Sequence, residues 1–213
     1  MQTLSNYFIQ IASGLGVTLS IFFVALIFSF PLGGIIALCR VSKIGIIRKI
    51  AEFYIWILRG TPLLLQIIVV FFALPLVGIT FDRLPAVYFA FVLNYAAYFG
   101  EIFRSGIQSI ERGQIEAAHI LGFTPWQIQM KIVLPQVIKR TLPAIGNEVI
   151  TLVKDTSLAY IVGVDEVLKL TKAIANRDVT LIPYIVAAIL YLAMTYIITK
   201  LFEHLEQKVK YEE

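Results

Sequence analysis

Five stretches of the chain have the apolar pattern of bilayer spans. Residues 13–38 and 61–78 hold no charged side chain, and 84–103, 136–153 and 181–202 hold few. Runs of about 20 apolar residues match the hydrocarbon thickness of a membrane. Ahead of the second run, "IIRKIAEFYIWILR" (46–59) gathers its charges on one side, which predicts a helix lying at the interface. Arg59, at its end, is expected to reach the lipid headgroups. The polar stretch 155–180 keeps an apolar periodicity at Ile161, Val164, Val167 and Leu168, which predicts an outer helical segment. No soluble domain boundary, internal repeat or low-complexity stretch interrupts residues 1–213, so one transmembrane domain is expected. The fold class is an all-α membrane protein.

Composition agrees. The chain is 59% hydrophobic and 15% charged, with a mean hydropathy of +0.83, too apolar for an ordinary soluble domain. The opening "MQTLSNYFIQ" has no Lys or Arg, which argues against a cleaved secretory signal. With the N-terminus outside and the C-terminus in the cytoplasm, thirteen Lys and Arg fall on the cytoplasmic side and five on the outer side. The positive-inside bias therefore favours that orientation. The pI near 9.1 fits a membrane surface, and no basic stripe with interleaved aromatics points to nucleic acid. Cys39 is the single cysteine, so no internal disulfide can form. In the first span, Pro31, Gly33 and Gly34 serve either close helix packing or a hinge.

"EAAHILGFTPWQIQMKIVLP" (116–135) is unlike its surroundings. Gly122 is a helix stop, because glycine takes a left-handed conformation without steric cost. Thr124, Pro125 and Gln127 form a helix start with cap and capping partner. Pro135 is expected to end that second helix near Leu134. The result is a short helix of about 113–121, a sharp corner and a second helix feeding the fourth span. This loop of about 111–135 presents a rigid element to the cytoplasm.

These residues carry a resemblance. Glu116, Ala117, Ala118, Gly122, Ile132, Leu134 and Pro135 resemble the EAA loop of ABC importer permeases. "RGTPLLLQ" (59–66) and "KDTSL" (154–158) resemble further signatures of the polar amino acid branch, the histidine, glutamine and arginine type. The resemblance implies a type I ABC importer permease fold with five transmembrane helices in the inner membrane of a prokaryote. It implies a separate ATP-binding cassette ATPase, coupled through Glu116, Ala117, Ala118 and Gly122. It further implies a second permease subunit, with a homodimer favoured, and an extracytoplasmic substrate-binding protein.

The chain lacks a GxxxxGK[ST] phosphate loop, and its two histidines, His119 and His204, belong to no metal-spaced cluster. Catalysis and cofactors are not expected. An ATP-independent channel or ion-coupled carrier is the alternative, but no inverted repeat supports it. A membrane-bound enzyme has no constellation behind it.

Polar groups at membrane depth are functional candidates. Asn94, Tyr98, Glu101 and Ser105 share one helical face, with Asn94 about 15 Å into its span. Glu101 and Arg104 are spaced to pair with each other. Glu148, Thr151 and Asp155 share a face of the fourth span, and Glu148 has no basic residue three or four positions away. Glu148 is therefore paired from another helix, protonated, or a carboxylate lining the path. On the last reading, Glu148, Asn94, Tyr98 and Thr151 contact a cationic amino acid such as arginine, lysine or histidine.

Overall fold

The computed structural model describes residues 2–209, and among them all regular structure is helical. Helix α1 (Gln2–Ala12) passes through Ser13 and Gly14 into α2 (Leu15–Arg40). At the centre, α2 packs along the length of α5 (Arg83–Gln108). The two helices come closest where Gly33 meets Phe99 and Gly100: a Cβ on Gly33 would lie 2.7 Å from Phe99 Cβ and 3.0 Å from the Gly100 nitrogen. Nothing lies within 4 Å of the same position on Gly34. Gly33 thus serves packing, and Gly34 does not. Ile21 and Phe22 of α2, with Phe91, Tyr95 and Phe99 of α5, are buried around this seam. Leu152 of α8 (Leu134–Asp155) closes over it.

The stretch expected as an interfacial helix forms α3 (Gly45–Gly60). The chain then turns through 103° into a second helical segment, Leu63–Val77. That segment starts as α4 (Leu63–Ile68), widens into a π turn (Val69–Ala73) and tightens into a 3₁₀ turn (Leu74–Val77). The widening lies just ahead of Pro75, whose ring and missing N–H cannot join a regular α-helical ladder. The Leu74 N–H reaches back five residues, to the Val69 carbonyl.

The same device corrects the expectation for Pro135. α7 (Pro125–Ile128) does not stop there; a π turn (Gln129–Val133) leads straight into α8, with Pro135 in its first turn. The missing N–H is harmless at that position. α8 therefore runs on from that corner for 22 residues, with Pro143 inside it.

Beyond α8, a 3₁₀ turn (Thr156–Val162) precedes α9 (Val167–Asp178). The carboxylate of Glu166 caps α9, accepting from the Leu168 and Lys169 N–H groups at 2.6 Å each. α1, α9 and α10 (Ile182–Val209) share a second core of Tyr7, Ile11, Val167, Ile174, Val186 and Leu190.

Among the described residues, three helical stretches, Leu4–Arg40, Arg83–Gln108 and Ile182–Val209, are long and apolar enough to cross a membrane, and the bent pair Gly45–Gly60 with Leu63–Val77, taken as one span, makes a fourth. α8 has the length but carries Lys139, Arg140, Glu148, Lys154 and Asp155, so apolarity alone does not mark it as a span.

Candidate functional site

α3, α4, α5 and α8 enclose a cleft of about 550 Å³. All four residues expected to contact substrate, Asn94, Tyr98, Glu148 and Thr151, line it, together with Arg59 and Asp155. Their placement begins with a proline. Pro62 has no N–H, so the Leu58 carbonyl, four residues earlier, loses its helical donor. Two side chains replace it. Asn94 Nδ2 donates to Leu58 O at 2.9 Å, and Gln66 Nε2 donates to the same oxygen at 2.9 Å. Asn94 Nδ2 also donates to Gln66 Oε1 at 3.0 Å. The sharp corner between α3 and α4 is thereby clamped onto α5. Asn94 is only 3% exposed. Its amide N–H groups hold the cleft wall and are not free for a ligand.

Tyr98, one turn further along α5, presents its ring, and the Arg59 guanidinium lies over it at 5.1 Å from the centroid. Arg59 thus lies against the cleft. On α8, Glu148, Thr151 and Asp155 turn toward the same space. The Thr151 hydroxyl donates to Asn147 O at 2.9 Å, leaving its lone pairs available. Tyr95 donates to Asp155 Oδ2 at 2.7 Å. Glu148 is half-buried and, among the described residues, has no hydrogen-bond or ion-pair partner. The cleft therefore holds two carboxylates on one side and an aromatic ring with a guanidinium on another. The carboxylate side attracts positive charge, whereas the Tyr98 ring already carries the Arg59 guanidinium.

A second cleft of about 400 Å³ lies on the side of the 111–135 loop, lined by Arg59, Glu101, Arg104, Ser109 and Arg140 among others. Glu101 and Arg104 pair with each other at 2.5 Å, and Arg104 also donates to Gln108. Arg140 donates to the backbone and hydroxyl oxygens of Ser109.

In the loop itself, α6 (Arg112–Ile120) ends at Gly122, whose φ is +78°. Thr124 and Gln127 form a reciprocal capping box at 3.3 and 2.8 Å. The four residues singled out here part ways. Ala118 is buried, packed with Ile110, Ile128, Val133 and Val137, whereas Glu116, Ala117 and Gly122 are exposed. Gln136 Nε2 donates to Gln114 Oε1 at 2.7 Å and ties α6 to α8. Beside the exposed residues stand Ile120 and Leu121, 87% and 76% exposed, an apolar tip with nothing over it in the single chain.

Sequence reasoning missed Tyr95, Gln66 and the position of Arg59 in the cleft. Gln66 had a legible signal: Pro62 orphans a carbonyl, and a donor must stand nearby.

The family described as binding-protein-dependent transport system inner membrane component matches residues 29–211. The probable amino-acid ABC transporter permease protein YckA of Bacillus subtilis is 39% identical over 94% of this chain and 89% of its own length. The arginine transport system permease protein ArtQ of the same organism is 39% identical over 94% and 92%. Among solved structures, a crystal structure of an amino acid ABC transporter with histidines matches with a TM-score of 0.90 and 34% identity, covering 97% of both chains.

Proposed function

The chain belongs to the family of binding-protein-dependent transport system inner membrane components, and on that premise we propose that it carries a basic amino acid across the membrane through the Glu148 cleft. As a member it is the transmembrane subunit of an ABC importer for amino acids, and ATP hydrolysis is the task of a separate subunit. The ATPase, a second permease subunit and a binding protein are its family partners.

The observation that carries the proposal is Glu148, a half-buried carboxylate without a partner, facing a cleft that also holds Asp155 and the Tyr98 ring. A neutral substrate would leave Glu148 unpaired at membrane depth, which is costly; a cationic side chain satisfies it. The identity to an arginine permease supports the same substrate class. One chain leaves the cleft incompletely enclosed, and a second copy completes the path in a homodimer. α8 crosses as the fifth span despite its charges, because its polar face lines the path, and the N-terminus lies outside. α6 and the apolar tip at Ile120 and Leu121 enter the ATPase. Closure of the ATPases moves the start of α8, because Gln136 and the Ala118 core fix α6 to its first turns.

Uptake by the reconstituted complex of permease, ATPase and binding protein tests this. Arginine, lysine or histidine should be accumulated in an ATP-dependent manner and should compete with one another. Accumulation of glutamine with no basic amino acid taken up would remove the substrate assignment.

A further inference from the structure

Arg59 is the one residue that lines both clefts. On one side lie Glu148, Asp155 and Tyr98; on the other lie the Glu101–Arg104 pair and the Arg140–Ser109 contact, next to the coupling loop. A solute leaving the first cleft toward the loop passes its guanidinium. The side chain is held there by the Tyr98 ring, 5.1 Å away, and among the described residues no carboxylate lies within ion-pair distance of it. A cation–π contact at an exposed site is weak enough to break in each cycle. The backbone beneath it is the 103° corner at Gly60 to Pro62, anchored to α5 through Leu58, Asn94 and Gln66.

We propose that Arg59 is the inner gate of the path, a tethered cation stacked on Tyr98 that separates the substrate cleft from the cleft on the coupling side. The inference rests on the Glu148 cleft being the path. The gate acts by bulk and by charge. A cationic substrate meets a like charge at the exit until the guanidinium swings away, and Glu101, across the second cleft, is a carboxylate toward which it turns. The Glu148 carboxylate and the gate then divide the work: one attracts the substrate, and the other prevents its release before the coupling loop has moved.

The test uses the complex in proteoliposomes, with Cys39→Ala as background and Thr151→Cys as reporter in the substrate cleft. A membrane-impermeant methanethiosulfonate reagent is supplied from the coupling side without ATP. With Arg59 present, Thr151→Cys should react slowly; with Arg59→Gln it should react at least about tenfold faster, the effect of lowering a barrier by about 1.4 kcal/mol. Arg59→Lys, which keeps the charge but loses the planar stack, should fall between. Ser105→Cys, in the coupling-side cleft, should react quickly in every variant. Equal rates for Thr151→Cys with and without Arg59, while Ser105→Cys reacts, would overturn the gate. A separate outcome tests the path. If modified Thr151→Cys with native Arg59 leaves uptake unchanged, the cleft is not the route. Arg59 is exposed and makes no hydrogen bond among the described residues, so its replacement breaks none, although its charge acts on Glu148 and Glu101.

Discussion

Tyr95 donates a 2.7 Å hydrogen bond to Asp155, and this leaves Glu148 as the unpartnered carboxylate of the cleft. Two acids on one face of α8 thus differ in their contacts: Asp155 is held in place by a buried phenol, and Glu148 has no hydrogen-bond or ion-pair partner among the described residues. Tyr95→Phe keeps the buried ring and removes only the donor. It should lower the stability of the complex by about 1–3 kcal/mol, the cost of an acceptor left unsatisfied. Thermal unfolding of the purified complex reads this, and an unchanged midpoint would show that the bond contributes nothing.

Asn94 offers a sharper separation of roles. Its amide holds the Leu58 carbonyl and Gln66, so Asn94→Ala should weaken the α3–α4 corner whether or not substrate is present. A loss of about 1–3 kcal/mol is expected in the substrate-free complex. If Asn94→Ala lowers substrate affinity but leaves substrate-free stability unchanged, Asn94 is a ligand contact after all.

Neighbouring glycines of α2 should differ in their response to the same change. Gly33→Ala drives a methyl into Phe99 and the Gly100 backbone, and overpacking of this kind costs about 1–3 kcal/mol. Gly34→Ala meets open space and should be neutral or slightly stabilising. Melting curves of the two single variants decide it; equal effects would mean that α2 and α5 are not seated as described.

On the proposed docking surface of the 111–135 loop, Leu121→Asp places a charge on the exposed apolar tip and should abolish co-purification of the ATPase while the permease still folds. Thr124→Ala removes one half of the capping box, at a cost of about 1 kcal/mol, and should lower the substrate moved per ATP hydrolysed. Retention of the ATPase by Leu121→Asp would put the docking surface elsewhere.

The long helices were legible because apolarity over 20 residues is a local property: the expected stretches 84–103 and 181–202 lie within α5 and α10 to within a few residues, apart from the C-terminal ends, which run further. Prolines were harder. Pro135 reads as a stop, yet a π turn ahead of it lets α7 flow into α8, and nothing in the local sequence distinguishes the two outcomes. Pro62 follows the end of α3, but the bend there depends on donors from Asn94, 32 positions away. The periodicity of α5 and α8 grouped Asn94 with Tyr98 and Glu148 with Thr151, since a helical face is set by spacing. It could not show that Asn94 is already occupied, or that Arg59 lies on Tyr98, because both depend on how α3 docks against α5.

The most direct test of the central claim is uptake of arginine and of glutamine by the reconstituted complex carrying Glu148→Gln, alongside ATP hydrolysis without substrate. The structure predicts that uptake of arginine falls at least about tenfold, a loss of some 1.4 kcal/mol or more of binding, while assembly and basal hydrolysis survive. Arginine uptake at the unmodified rate would contradict it and leave Glu148 a structural residue.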